Sequence, residues 1–329
     1  MEKSISSRRR FLNAVGVVAT SITLPNQVMG ALRKIKKPIK LGLIADLHQD
    51  VMHDGPARLK AFLDAMKEES PDALVQLGDF AHPTKKNDAV TKAFEKAHPR
   101  TLNVLGNHEI DGGHTFDAVA KLWGMKGRYY TENINGLDLI VLDCNEKPKN
   151  HKGGYPAHIG EQQLEWLEKQ LKTLKGPILV ISHQPLAGTS GIDNAGEVQK
   201  LLNSAGDKVL LAVNGHTHID HVDRVGKISY LHVNSASYKW VGSSHRNKSY
   251  PAEIHSKFRW IEYTCPYQDS LFTTLTIDPA NGRIDVKGRE SQWVGKSPSQ
   301  LGIAAKPDRT DGKEICPKIR GRRLVSAAK

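Results

Sequence analysis

Short apolar runs in this sequence end, one after another, in side chains able to bind a divalent cation. Asp46 and His48 follow Leu41 to Ala45, and Asp79 follows Ala73 to Leu77 after Gly78. Asn107, His108 and Glu109 follow Leu102 to Leu105 after Gly106. His183 follows Ile178 to Ile181, and His216 and His218 follow Val209 to Val213. Carboxylate, amide and imidazole donors without a thiolate suit Mn, Fe, Zn or Co. Two such ions about 3.5–4 Å apart clamp a phosphoryl group and provide a hydroxide near neutral pH, so the protein itself needs no nucleophile. Taken singly, an Asp-x-His or a Gly-Asp after a strand reads as a turn or a cap. Five such endings in one chain point to a single crevice.

The elements that must position these groups alternate between short apolar runs and helical patterns, the signature of an α/β architecture. In open α/β sheets ligands collect beyond the carboxyl ends of strands, where all five endings lie. If Asp46 and His48, and likewise His216 and His218, are extended, a spacing of two points each pair the same way. Leu139 to Leu142 supplies a sixth strand. Leu59, Phe62, Leu63 and Met66 predict a helix that starts near Asp54 and Pro56; Leu164, Leu167, Leu171 and Leu174 predict a second; Val198, Leu201, Leu202 and Ala205 predict a third. From Lys227 onward Ile228 to Val233, Phe258 to Tyr263 and Leu271 to Ile277 read as strands of a second sheet. Asn145 and Trp240 are candidates to line a substrate pocket.

The ordered set Asp-x-His, Gly-Asp, Gly-Asn-His-Glu, His and Gly-His-x-His, spread over roughly Ile39 to Val233, resembles the calcineurin-like metallophosphoesterases. The resemblance implies an α/β fold of two packed mixed β-sheets flanked by helices, in a domain over residues 37–290, with two metals at the sheet edge. It assigns Asp46, His48 and His218 to one metal, Asn107, His183 and His216 to the other, and Asp79 as the bridge. His108 is implied as the histidine that binds no metal, contacts the phosphate and helps the leaving oxygen depart, a role that suits a side chain titrating near neutrality. Three positions after the Gly-Asp aspartate, protein phosphatases carry an orienting Asp and purple acid phosphatases a metal-binding Tyr. Here that position is His82, which disfavours a tyrosinate-bound iron and leaves Glu109 and Asp111 as candidates to orient His108. The implied activity is hydrolysis of phosphate mono- or diesters by direct attack of a metal-bound hydroxide. Phosphodiesterase or pyrophosphatase action on nucleotides, and a binding module that has lost catalysis, are the alternatives.

The 329 residues, 39% hydrophobic and 25% charged, exclude disordered, collagenous and disulfide-scaffold classes. A net charge of +12 predicts an acidic partner, here a phosphorylated small molecule or cell-surface substrate. No recognised nucleic-acid motif accompanies the charge. The stretch from Lys296 to Lys329 reads as a basic tail, with Arg320, Arg322 and Arg323 as a surface cluster. Of three cysteines, Cys144 reads as buried, whereas Cys265 and Cys316 are the candidates for one disulfide. Phe11 to Leu24 is too short to span a membrane. Preceded by Arg8, Arg9 and Arg10, it resembles a twin-arginine export signal over residues 1–30, cleaved after Val28-Met29-Gly30. Its loss would leave a charge of +9. The reading implies a twin-arginine translocase as transient partner and a periplasmic or extracellular destination. Replacing Arg8 and Arg9 by Lys is expected to strand the precursor in the cytosol, measured by cell fractionation; normal export of that variant would contradict the reading.

Overall fold

A computed structural model describes residues 20–24, 28–125, 127–303 and 312–326. Most of the proposed signal, residues 1–19, lies outside the described residues. The strands are β1 (Thr20–Leu24), β2 (Ile39–Ile44), β3 (Ala73–Gln76), β4 (Thr101–Asn103), β5 (Tyr130–Ile134), β6 (Leu137–Val141), β7 (Ile178–Ser182), β8 (Val209–Asn214), β9 (His221–Val225), β10 (Ile228–His232), β11 (Tyr238–Trp240), β12 (Thr264–Pro266), β13 (Thr273–Asp278), β14 (Arg283–Val286), β15 (Arg289–Glu290), β16 (Lys318–Ile319) and β17 (Arg322–Ser326). The helices are α1 (Val28–Leu32), α2 (Gly55–Glu69), α3 (Asp88–Glu95), α4 (Phe116–Trp123), α5 (Glu161–Thr173), α6 (Ala195–Ser204) and α7 (Ala252–Lys257).

Two mixed sheets pack face to face, as expected. One has the order β1-β17-β14-β13-β2-β3-β4 and the other β5-β6-β7-β8-β10-β9. The central strands are buried on both faces, which is why they read as continuous apolar runs rather than alternating ones. In β2, Leu41 and Leu43 face the core between the sheets, while Ile44 joins the outer cluster under α2, α3 and α4. In β7, Leu179 and Ile181 face inward, and Ile178 and Val180 pack outward against α5 and α6. Gly42 is small for a reason: a Cβ there would stand 2.4 Å from Met66 Sδ of α2. Layers of helix, sheet, sheet and helix follow.

The strands that carry the candidate ligands run parallel within each sheet, β2, β3 and β4 in one and β7 and β8 in the other. Their carboxyl ends therefore open on the same edge of the sandwich.

Four expectations need correction. Phe258 to Tyr263 is not a strand; Arg259–Tyr263 forms a 3-10 helix directly after α7. Ile228 to Val233 and Leu271 to Ile277 do not share a second sheet of their own, because β10 lies parallel beside β8 and β13 pairs antiparallel with β2. The basic C-terminal stretch is not only a surface extension. Its strand β17 pairs with β14 and buries Leu324 in the core between the sheets. Its arginines are partnered: Arg320 and Arg322 both bind the fully buried Asp220, and Arg323 donates to Asp285. Arg322 is thereby drawn below the surface and Arg320 partly so, whereas Arg323 stays exposed. Finally, all three thiols are free. Cys144 is buried as expected, but Cys316 turns its sulfur toward the carbonyls of Glu314 and Lys318 in its own loop, and Cys265 is buried on β12.

Asp220 lies two residues beyond His218 and joins the ligand-bearing loop to the last strand of the other sheet. Removing it leaves two arginines facing a buried gap, a situation that costs about 3–5 kcal/mol. Asp220→Ala should lower the unfolding free energy by that amount in urea titrations, and a loss under about 1 kcal/mol would contradict the role given to it.

Candidate metal centre

Five of the seven candidate ligands leave their strands through an unusual backbone. Asp46, His48, Asp79, His216 and His218 have φ of 52°, 49°, 51°, 67° and 48°. They are left-handed, a conformation in which Asp, Asn and His are enriched several-fold among residues other than glycine. The two spaced pairs are therefore not extended, and they converge by turning rather than by strand alternation. The turns are held by hydrogen bonds between loops. Asp46 N–H donates to Gly78 O and His48 N–H to Asp79 O, and the Asp46 carboxylate accepts from His216 N–H at 3.0 Å.

Two triads result. Asp46, His48 and His218 bring one donor atom each within 4.8 Å of one another, and so do Asp79, His183 and His216. Asp79 also groups with His48 and His108. Its Oδ2 stands 3.1 Å from His183 Nε2, 3.7 Å from His48 Nε2 and 3.9 Å from His108 Nε2, so this carboxylate lies between the triads. Two glycines keep it there. At Gly106 a Cβ would come within 2.3 Å of Asp79 Oδ1, and at Gly78, with φ of 94°, within 2.4 Å of the His183 ring.

The imidazoles are preset for ligation. His183 Nδ1 and His218 Nδ1 each face a backbone carbonyl, of Leu77 and Tyr238, at 2.8 Å. A carbonyl only accepts, so Nδ1 carries the proton and Nε2 turns its lone pair to the cluster, the outer-shell pattern of metal-bound histidines. His216 is reversed: its Nδ1 faces His183 at 3.2 Å, and its Nε2 lies 3.2 Å from the Tyr155 hydroxyl.

Electrostatics agree with a cation site. Burial, then the nearby His108, holds His48 well below the usual imidazole range, and burial and His183 lower His216 to about 3, so both are neutral donors. Burial also opposes charge on His183, but Asp79 outweighs it and raises that imidazole to about 10. Burial likewise opposes charge on Asp79, yet His183, His108 and His48 together hold it well below the carboxylate range. A divalent ion held by Asp79 and His183 would replace that proton, because a histidine must be deprotonated to bind a metal. Asn107, only 2% exposed, has its Oδ1 buried without a hydrogen-bond partner. An orphaned buried acceptor costs about 1–3 kcal/mol, which an ion beside it would recover. The donor set fits two hard or borderline divalent ions.

His108 stands at the mouth, its side chain 38% exposed, with Nδ1 3.2 Å from Asp111 Oδ2. Burial raises the Asp111 carboxyl above its usual value, with His108 pulling the other way. Asp111 is thus the partner of His108. Glu109 instead braces the backbone. Its Oε2 accepts from the N–H groups of Gly106 and Asp79, and its Oε1 from those of Phe80 and Ala81. Burial and the facing Asp79 push this carboxyl up to about 7, against the pull of those donors. His82 faces the His108 ring at 6.4 Å and bonds through its backbone N–H to Asp50.

Asn145 does not line the cleft. It is buried, donating to Leu105 O and accepting from Gln184. Trp240 does line it. The cleft, about 470 Å³, also has His48, His108, Asp111 and Trp260 in its walls. Sequence reasoning passed over Tyr155 and Trp260. The turn signal Gly153-Gly154 before Tyr155 marked a loop able to reach the centre; Trp260 sat in a segment read as strand.

Residues 39–220, more than half of the chain, match the model of the calcineurin-like phosphoesterase family. A "Probable cyclic nucleotide phosphodiesterase" of Fibrobacter succinogenes is 26% identical over 206 residues, 56% of this chain and 74% of that protein. Among solved structures, a dimetal phosphatase from Danio rerio has a TM-score of 0.55 at 15% identity, covering 78% of this chain and 98% of that one. GAP50, the anchor in the inner membrane complex of Plasmodium, has a TM-score of 0.52 at 17% identity, covering 89% and 90%. At these identities the two structures share the fold.

Glu109→Gln is a discriminating change, because either orientation of the amide sets an NH2 group against two backbone N–H donors. It should cost about 1–3 kcal/mol for each donor left unpaired and lower metal content, read by urea unfolding and elemental analysis. Asp111→Asn, at a half-exposed site, should stay within about 0.5 kcal/mol of the wild type. Equal stability of the two variants would contradict the separation of roles.

Proposed function

This chain belongs to the calcineurin-like phosphoesterase family, and we propose that it hydrolyses phosphate mono- or diesters of small phosphorylated molecules or cell-surface groups, outside the cytosol. It is a metal-dependent phosphoric ester hydrolase. The observation that carries the finer reading is the pair of candidate-ligand triads, one of them containing Asp79, with His48 of the first and Asp79 of the second both lining one open cleft. Two divalent ions, when bound, supply charge neutralisation of the phosphoryl oxygens and an activated nucleophile. Asp46, His48 and His218 would hold one, Asn107, His183 and His216 the other, with Asp79 bridging them.

The chain's own residues supply positioning and a proton. His108 N–H donates to Asp79 Oδ1 at 2.8 Å, which fixes the backbone of the histidine to the bridging carboxylate. Its ring meets His48 edge-on at 4.8 Å, and Asp111 takes Nδ1, so Nε2 points toward the triads. From there Nε2 can hold a proton at the leaving oxygen. None of the cysteines lines this cleft, and the chemistry asks for no nucleophilic side chain.

A nucleotide phosphodiesterase is the second reading, favoured by the Fibrobacter relative. Export rests on the twin-arginine resemblance of the N-terminus, and with it the translocase as transient partner and the periplasmic or extracellular destination. Among the described residues no helix is long and apolar enough to cross a membrane.

If His108 protonates the leaving oxygen, its removal hurts most where that oxygen is most basic. His108→Asn should cost about 10²- to 10⁴-fold in kcat on an alkyl phosphate and distinctly less on a nitrophenyl ester. Equal losses on both, with metals still bound, would mean that His108 binds phosphate instead. A panel of phosphate mono-, di- and pyrophosphate esters tests the class as a whole; no turnover on any of them with two metals bound would refute it.

A further inference from the structure

Among the described residues the exposed large hydrophobic side chains are Tyr155, Trp240 and Trp260, at 50%, 44% and 44%. All three stand around the metal centre. Tyr155 reaches His216, and both tryptophans line the cleft that contains His48 and His108. Large aromatic surface left in water at one place on a protein marks a binding site.

The two tryptophans belong to one shelf. Trp240 lies parallel to Tyr263, with ring centroids 5.7 Å apart and planes inclined by 10°, and Trp260 packs against the same Tyr263 at 5.2 Å. Arginines brace it, Arg246 over the Tyr263 ring and Arg259 over the Trp260 ring. The shelf is fixed to the centre through β11. Tyr238, two residues before Trp240, stacks its ring on His48 at 4.9 Å and accepts from His218 through its carbonyl. Strand geometry sets residues two apart about 7 Å from each other on the same face. A planar group on the shelf therefore stands one short linker away from a phosphoryl group at His48 and His108.

We infer that Trp240 and Trp260 determine specificity by stacking a planar aromatic ring, of the nucleobase class, carried by the ester whose phosphoryl group occupies the metal centre. The inference rests on the phosphoesterase reading of this cleft and adds to it the chemical class of the group beyond the phosphate. Flat, rigid indoles favour a flat ligand: every base has a π-face, and an aromatic stack is worth more than the same area of alkyl contact.

The test compares three probes by calorimetry on the metal-loaded protein: adenosine monophosphate, glycerol phosphate and octyl phosphate. Wild type should bind adenosine monophosphate most tightly. Trp240→Ala and Trp260→Ala, both at exposed positions, should each weaken it roughly 5- to 150-fold, the ratio that one base stack is worth, and leave glycerol phosphate within about twofold. In turnover the loss should fall on KM for nucleoside esters rather than on kcat. Equal losses on adenosine and glycerol phosphates, or no loss, would overturn the inference, and an equal loss on octyl phosphate would show an apolar rather than a ring-specific shelf. If esters are hydrolysed without shelf dependence, the inference fails and the phosphoesterase reading stands. If tryptophan-dependent binding occurs but no ester is cleaved, the reverse holds.

Discussion

Backbone turned into the left-handed region just beyond the ends of three strands is the constraint on which the rest of this molecule depends. Such a residue costs roughly 1–2 kcal/mol when it is not glycine, and five of the seven candidate ligands adopt it. Their sum, on the order of 5–10 kcal/mol, is comparable with the whole net stability of a domain. It is tolerable only where the surroundings over-determine the conformation, which is why such residues gather at functional sites. Here the surroundings are hydrogen bonds between loops of different strands. Ser235 Oγ donates to Asp46 O and Ser237 Oγ to Leu47 O, so the segment before β11 braces the turn after β2. Glu109 does the same for the turns after β3 and β4 by accepting four backbone N–H groups at once.

These braces explain why the fold needs both sheets. Asp46, His48, Asp79 and Asn107 come from one sheet and His183, His216 and His218 from the other, so the triads exist only while the sandwich holds its packing. The core between the sheets, built from inward residues such as Leu43, Val75, Leu179 and Val213, sets that spacing. Asp220 extends the linkage to β17 through Arg320 and Arg322, tying the loop of His216 and His218 to the opposite sheet. The stability of the C-terminal strand and the geometry of the centre are thus coupled.

The candidate ligands and their order were legible in the sequence because each follows a short, mainly apolar strand. The helices at Leu59 to Met66, Leu164 to Leu174 and Val198 to Ala205 were legible for the same reason: periodicity is local. What failed was whatever depends on long-range partners. Asp46 and His48 do meet, but through turned backbone that no spacing rule announces. Glu109 looked like a neighbour of His108 and proves to be a brace for Asp79, since its four donors lie up to 30 residues away. Phe258 to Tyr263 has strand composition, yet a short helical turn sets Trp260 and Tyr263 beside Trp240. The basic C-terminus looked like a tail because the carboxylates that neutralise it, Asp220 and Asp285, lie far upstream.

Metal stoichiometry tests the central claim, that one buried carboxylate joins two ligand triads. Elemental analysis of the purified protein and of Asp79→Ala after loading with Mn, Fe, Zn or Co should give about two ions per chain for the wild type, the content of a two-metal phosphoesterase site, and fewer than two for the variant, with hydrolysis abolished. Two tightly held ions in Asp79→Ala would contradict the account.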